Sequence, residues 1–249
     1  MHDQQQSRAK HAWWHCKQQL LRAAPFWILM AYAGMSWGQP SQGVYRLPLE
    51  QVALGQTPTG WSAAATHPSG PLAQWRVEMD RAVPSQTKIL TMGTIQDSSP
   101  SVFNLFWTPQ VVFLNGVLKV KMRANSGSID QGGGIIWRAQ DANNYYVARY
   151  NPLENNFRLY YVKNGSRGTL ASREDLSAAA GAWVQLRIAH QGQRIQGWFN
   201  DTLAWEVTDA QGSKAGGVGL WSKADAASSF ADFSVLHTAA NATERLGHE

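Results

Sequence analysis

Along residues 117–123 apolar and basic side chains alternate one for one, Leu118, Val120 and Met122 against Lys119, Lys121 and Arg123. Neighbours on a strand point to opposite faces of a sheet, so this period of two predicts a strand with one face in a core and the other in water. Further short stretches rich in β-branched and aromatic residues lie at 102–107, 134–139, 145–150, 157–162, 183–189, 195–199, 218–221 and 230–236. Between them stand Asn125-Ser126-Gly127, Asp141-Ala142-Asn143-Asn144, Lys163-Asn164-Gly165 and Asn200-Asp201, the residue types that close tight turns. Upstream, residues 39–100 are rich in Pro, Gly, Ser, Thr and Gln, with apolar pieces at 44–49, 74–80 and 88–92 that read as strands joined by long loops. One short helix is predicted, at 173–180. Strands at short spacing, with no strand–helix rhythm and no internal repeat, predict an all-β sandwich or barrel.

The same alternation groups Ile136 with Arg138, Tyr145 with Val147 and Arg149, Arg158 with Tyr160, and Arg194 and Gln196 with Trp198. If those faces coincide, one sheet carries a stripe of arginine interleaved with aromatic rings. Trp137, next to Arg138, then faces inward, and Trp61, Trp75, Trp107, Trp183, Trp205 and Trp221 read as core or rim. The 249 residues are 44% hydrophobic and 16% charged, which excludes a disordered chain, and the 12 Trp and 22 Gly suit strands and tight turns.

Residues 1–22 hold Arg8, Lys10, Lys17 and Arg22 against one acid, Asp3, and an uncharged run from Ala23 to Met35 follows. A basic segment before an apolar one is the layout of a secretory signal, with cleavage expected after Gly38 or after Ala33 and the first favoured. The alternative is a retained anchor, but the uncharged run is shorter than the roughly 20 residues of a membrane span and contains Pro25 and Gly34. With four of the 22 Lys and Arg and one of the 17 Asp and Glu in the first 38 residues, the net charge falls from +5 to +2 when they leave. A nearly neutral remainder argues against a nucleic-acid partner. Cys16, the one cysteine, leaves as well, so the exported domain has no disulfide and no thiolate chemistry. The expected organisation is a signal at 1–38, a short leader at 39–43, a sandwich at 44–237 and a tail at 238–249.

Gly132-Gly133-Gly134 lacks the Gly-Lys-Ser/Thr and the helix of a phosphate-binding loop, and reads as a bulge or a close backbone approach. Glu78 and Asp80 beside Arg76 read as a solvated strand face, and Asp141 as a turn residue. Asp130, beside the glycines, is the one carboxylate singled out for catalysis or binding. The histidines outside the leader, His67, His190, His237 and His248, have no zinc-site spacing, and no Gly-x-Ser-x-Gly is present. Asn164, Asn200 and Asn241 begin glycosylation acceptor patterns, of which two double as hairpin turns.

The hairpin through Gly134 to Tyr150, then Phe157-Arg158-Leu159-Tyr160-Tyr161-Val162, Trp183-Val184-Gln185-Leu186-Arg187-Ile188, Gly217-Val218-Gly219-Leu220-Trp221 and Phe230-Ala231-Asp232-Phe233, resembles the concanavalin A-like jelly-roll superfamily over about residues 44–237. Within it the chain is most similar to the laminin G-like and 3-keto-disaccharide hydrolase domains of exported bacterial proteins. The resemblance implies a sandwich of two antiparallel sheets with one short helix at most, a concave sheet that binds carbohydrate, and in some members a structural calcium, for which Asp232 stands in the corresponding region. It implies no other cofactor. Laminarinase-type relatives carry Glu-x-Asp-x-x-Glu, two glutamates about 5 Å apart; here the stretch is Ser128-Ile129-Asp130-Gln131-Gly132-Gly133, and only the aspartate matches. Ordinary retaining hydrolysis at that position therefore lacks both its nucleophile and its acid.

Three readings follow. The first is an exported, periplasmic or extracellular domain that binds a glycan, including an anionic or oxidised one, through Arg138, Tyr145, Arg149, Arg158, Tyr160 and Trp198. The second is a carbohydrate-active hydrolase or lyase with Asp130 as acid or base, and the third a protein-interaction module. The expected partner is a carbohydrate, with no nucleic acid and no membrane after signal cleavage; the sequence does not speak to oligomeric state.

Overall fold

A computed structural model describes residues 43–80, 87–93, 95 and 99–238; the expected signal segment at 1–38 lies outside them. The strands, numbered in chain order, form two antiparallel sheets. One holds, in spatial order, β13 (Thr202–Thr208), β12 (Arg194–Phe199), β11 (Trp183–Gln191), β6 (Gly116–Ser126), β15 (Ala227–His237), β4 (Lys88–Met92) and β3 (Trp75–Met79), with β1 (Val44–Arg46) paired to β15. The other holds β10 (Ser166–Arg173), β9 (Asn156–Lys163), β8 (Asn144–Asn151), β7 (Gly133–Asp141), β14 (Gly216–Lys223), β5 (Phe103–Phe113) and β2 (Ser62–Thr66). The architecture is the expected all-β jelly-roll sandwich. Among the described residues no helix is long and apolar enough to cross a membrane.

The helix expected at 173–180 is not formed. Arg173 ends β10, Asp175 takes a left-handed φ of 61°, and the Leu176 N–H donates to Asn155 O at 2.8 Å. An amide claimed by the β8–β9 turn cannot close an i to i−4 bond, so tertiary pairing overrides the helical leaning of the alanines. Among the described residues a 3-10 helical turn forms at Leu49–Gln51.

The main core lies between the sheets. Leu118, Val120 and Met122 of β6 are buried there with Trp137, Tyr146, Leu220 and Phe106, while Lys119 and Lys121 are exposed. A second cluster, with Phe103, Leu105, Ile136, Tyr145, Val147, Tyr160, Val162 and Trp221, covers the opposite face of the seven-stranded sheet. That face is sheltered because the sheet rolls over itself. Thr66, at the end of edge strand β2, donates to Ala142 O in the β7–β8 turn and lies 2.8 Å from the Tyr145 hydroxyl. His67 Nε2 is 3.1 Å from Gly165 O in the β9–β10 turn. The two edges thus meet on the outer side, and the seven-stranded sheet is concave outward. The glycine run lies in this sheet: a Cβ on Gly134 would stand 1.9 Å from Ala148 O, so the close approach of β7 to β8 requires glycine there.

Candidate functional site

Strand pairing decides which side chains share the concave face. Tyr145 pairs with Val162, Val147 with Tyr160 and Arg149 with Arg158 across β8 and β9, and Val162 pairs with Arg167 across β9 and β10. Trp221 pairs with Gly134, and Gly134 with Arg149, which brings β14 to the same row. The concave face therefore carries Arg149, Arg158, Arg167, Tyr145, Tyr160 and Trp221.

Arg149 is 1% exposed and lies at its centre. Its Nη2 donates to Glu154 Oε1 at 2.9 Å and lies 3.8 Å from Asp130 Oδ2, and its Nη1 is 3.4 Å from the Tyr160 hydroxyl. Its Nε has no hydrogen-bond partner among the described residues. Arg158 Nη1 holds Glu154 Oε2 at 3.0 Å, and Asn151 and Asn156 donate to the same carboxylate at 3.2 and 3.0 Å. Partial burial would raise the Glu154 pKa, but the Asn156 bond and the charges of Arg149 and Arg158 outweigh it and hold the carboxyl below its ordinary value. Arg167 lies over the Tyr160 ring at 4.2 Å and the Phe103 ring at 5.0 Å, and its Nη1 is buried without a hydrogen-bond partner among the described residues. Burial pushes the Tyr145 hydroxyl up to about 12, where it stays protonated between Thr66 and Trp221.

Asp130 closes this end of the face at 2% exposure, with Lys223 Nζ on Oδ2 at 2.9 Å and Asn151 Nδ2 on Oδ1 at 3.2 Å. A second aspartate fixes its backbone. The Asp225 carboxylate accepts the consecutive N–H groups of Ser128, Ile129 and Asp130 at 2.7 to 3.1 Å, and the Ser128 hydroxyl at 2.9 Å. Slight burial works against the ionised form, but these backbone donors outweigh it and push the Asp225 carboxyl down to about 2.

Of the residues singled out in the sequence, the structure brings Asp130, Tyr145, Arg149, Arg158 and Tyr160 together and separates two. The alternation placing Arg138 beside Ile136 fails at a bulge: the β7–β8 register shifts after Trp137, and Arg138 takes a φ of 48°. Its guanidinium leaves the face and donates to Leu114 O, Gly212 O and Gly192 O at 2.8 to 3.1 Å, tying turns at one end of the sandwich. Trp198 lies on β12 in the other sheet, stacked with Arg187 at 3.5 Å. The single stripe is therefore two faces and a bulge. Sequence reasoning missed Glu154, Arg167, Lys223 and Asp225. Arg167 follows the Asn164-Gly165 turn at the spacing that returns it opposite Val162, a signal that was there once β10 was recognised as a strand.

Asp232, the residue considered for calcium, sits in a β15 bulge and pairs with Lys121 at 2.8 Å. Among the described residues no group of three or more His, Cys, Asp or Glu side chains is placed to hold a metal ion. Asp141 accepts the Asn143 N–H at 2.7 Å, the turn role its position predicted.

Residues 55–235 match the family model of the 3-keto-alpha-glucoside-1,2-lyase-like domain. The chain belongs to this family. The lyase-like domain shares its fold with the carbohydrate-binding module CBM66 from Bacillus subtilis, at 17% identity and a TM-score of 0.55, over 71% of this chain and 96% of that one. A β-glucanase from Bacillus licheniformis superposes with a TM-score of 0.53 at 12% identity, over 80% of this chain and all of that one. A Bacillus subtilis protein of unknown function with a galectin-like fold gives 0.53 at 14%, over 79% of this chain and 97% of that one. At such identities the likeness is one of fold: a concanavalin A-like jelly roll, common to carbohydrate-binding and glycoside-cleaving proteins. None of the curated proteins matches this chain.

Proposed function

We propose that this protein is an exported carbohydrate-binding domain whose ligand lies on the concave face of the seven-stranded sheet, at Arg149, Arg158, Tyr160, Arg167 and Tyr145. The observation that carries this reading is a pair of arginines, Arg149 and Arg167, with buried nitrogens lacking hydrogen-bond partners beside aromatic side chains on one concave face. A desolvated donor left unpaired is costly, and a sugar repairs this with hydroxyl oxygens while its CH-rich ring face packs on Tyr or Trp. The CBM66 neighbour is described as a carbohydrate-binding module, which supports the same class of ligand. Export rests on the basic-then-apolar leader and is checked by N-terminal sequencing of the protein recovered from a bacterial periplasm.

The decisive experiment is a screen of the purified protein, with and without calcium, against an oligosaccharide panel that includes 3-keto sugars, recording both binding and product release. Binding that weakens in Arg149→Ala supports the reading; unchanged affinity in that variant removes the concave face from it.

A second reading has its own support, the family's lyase-like description and the placement of Asp130 against Lys223. A ketone at C3 of a sugar acidifies the C2 hydrogen. A carboxylate that takes this proton leaves an enolate, whose collapse restores the C3 carbonyl, forms the C1–C2 double bond and expels the C1 oxygen, which takes up a proton. Asp130 would serve as the base, with Lys223 and Arg149 as the cations near the enolate oxygen. Product release from a 3-keto-glucoside that disappears in Asp130→Asn supports this chemistry, and full activity in that variant ends it. Neither binding nor turnover across the panel moves the assignment to a protein-interaction module.

A further inference from the structure

Of the four cationic side chains on the concave face, Arg149, Arg158, Arg167 and Lys223, three are ion-paired. Lys223 holds Asp130, Arg149 shares Glu154 and Asp130, and Arg158 shares Glu154 and Glu174. Arg167 makes no ion pair among the described residues. It is held instead between the rings of Tyr160 and Phe103, with Nη1 buried and unpartnered.

Arg149 and Arg167 converge on one ring, Arg149 on the Tyr160 hydroxyl and Arg167 on the ring face. Burial lowers the Arg167 pKa, Tyr160 offsets part of this, and the like charge of Arg149 lowers it further, so the two guanidinium groups sense one another. An arginine cannot shed its proton in the neutral range, so a site that gathers such charge in partial burial is completed by an anion from outside. A planar carboxylate matches the planar guanidinium fork, and the rings beside it give a pyranose its packing surface.

We propose that the glycan recognised on this face is acidic, and that Arg167 and the free Nε edge of Arg149 hold the carboxylate of a uronic acid residue. This inference rests on the carbohydrate-binding reading and specifies its substrate class. Arg167 is the specificity-determining residue: its charge selects the charged sugar over its neutral counterpart, while Arg158 serves hydroxyls common to both.

The test pairs oligogalacturonides and oligoglucuronides with their carboxyl-reduced neutral counterparts, in titration calorimetry on the whole protein at low and at physiological salt. The expected result is a preference of roughly tenfold to a hundredfold for the uronate, the usual range for a hydrogen-bonded charge, shrinking as salt is raised. In Arg167→Gln affinity for both sugars falls, the uronate's by more, so that the preference collapses toward unity, with a thermal scan to show that the variant is folded. A sulfated oligosaccharide of the same size, preferred over the uronate, overturns the carboxylate assignment. Equal binding of the uronate and its reduced form overturns the proposal and leaves the carbohydrate reading standing. No binding of any sugar overturns both.

Discussion

Lowering the pH from 7 to 5 should destabilise this domain through one buried imidazole. His190 of β11 is fully buried, and its Nδ1 accepts the Trp137 Nε1–H at 2.9 Å, which puts the ring's single proton on Nε2 and makes the neutral form the one the core is built around. Burial, and then the positive charge of Arg138, push its pKa from 6.5 to about 3. The group is depressed, so between those values the unfolded chain binds the extra proton. The stabilisation is then complete above the unfolded value and is lost as pH falls toward the folded one. The full span from 6.5 to about 3 corresponds to about 5 kcal/mol at ~1.4 kcal/mol per pH unit, of which about 2 kcal/mol is lost between pH 7 and 5. The assay is urea unfolding at pH 7.0, 6.0 and 5.0 for the natural protein and for His190→Asn, whose Oδ1 can replace Nδ1 as acceptor for Trp137. The variant starts less stable, because the smaller side chain leaves a gap, by about 1–3 kcal/mol. The informative quantity is the slope with pH. His237 is also depressed, through burial, and is common to both proteins, so it cancels in the difference. If the natural protein and the variant lose stability equally between pH 7 and 5, His190 is not the buried neutral group described and the reasoning is refuted.

Three further outcomes are expected. Asp225→Asn removes the carboxylate that gathers the amides of residues 128 to 130 and should cost about 1.5–3 kcal/mol by chemical denaturation at pH 7; because the Asp225 carboxyl is depressed to about 2, its stabilisation is present above about pH 4 and fades as pH falls through 2, so the variant should lose that part of the acid limb. Gly134→Ala should cost about 1–3 kcal/mol or prevent folding, read from soluble yield and thermal unfolding, since its Cβ would meet Ala148 O at 1.9 Å; a variant as stable as the natural protein would show that β7 can move away from β8. Trp198→Ala, on the opposite sheet, should leave glycan affinity within about threefold, against a loss of about tenfold or more for Arg149→Ala; a comparable loss in both would place the ligand elsewhere.

Much of the sandwich was legible because burial in a half-exposed strand is a local property with a period of two. Leu118, Val120 and Met122 declare their face in seven residues, and the Asn164-Gly165 and Asn200-Asp201 turns occur where a hairpin needs positive φ, which Asn164, Gly165, Asn200 and Asp201 all adopt. The strands that escaped the reading, β2, β10 and β13, are all sheet edges. An edge strand has one neighbour and buries less of its surface, so Ser166–Arg173 shows mostly exposed small and polar residues and no apolar rhythm. The predicted helix failed for the converse reason, a local propensity outvoted by the Leu176 to Asn155 bond.

The sequence by itself determined the fold class, the hairpins and the chemistry available: arginines and aromatic rings on alternating positions, and a lone aspartate beside three glycines. Only the tertiary structure decided which of these meet. A register shift after Trp137 takes Arg138 off the face, sheet membership puts Trp198 on the far side, and the roll that carries Thr66 to Ala142 makes the remaining face concave. Glu154, Arg167, Lys223 and Asp225 come to the site from a turn, an edge strand, a strand end and a loop, 5 to 95 residues distant from Asp130 or Arg149. Strand order, register shifts and curvature are properties of pairing between distant segments, and a period of two read along one strand carries no information about them.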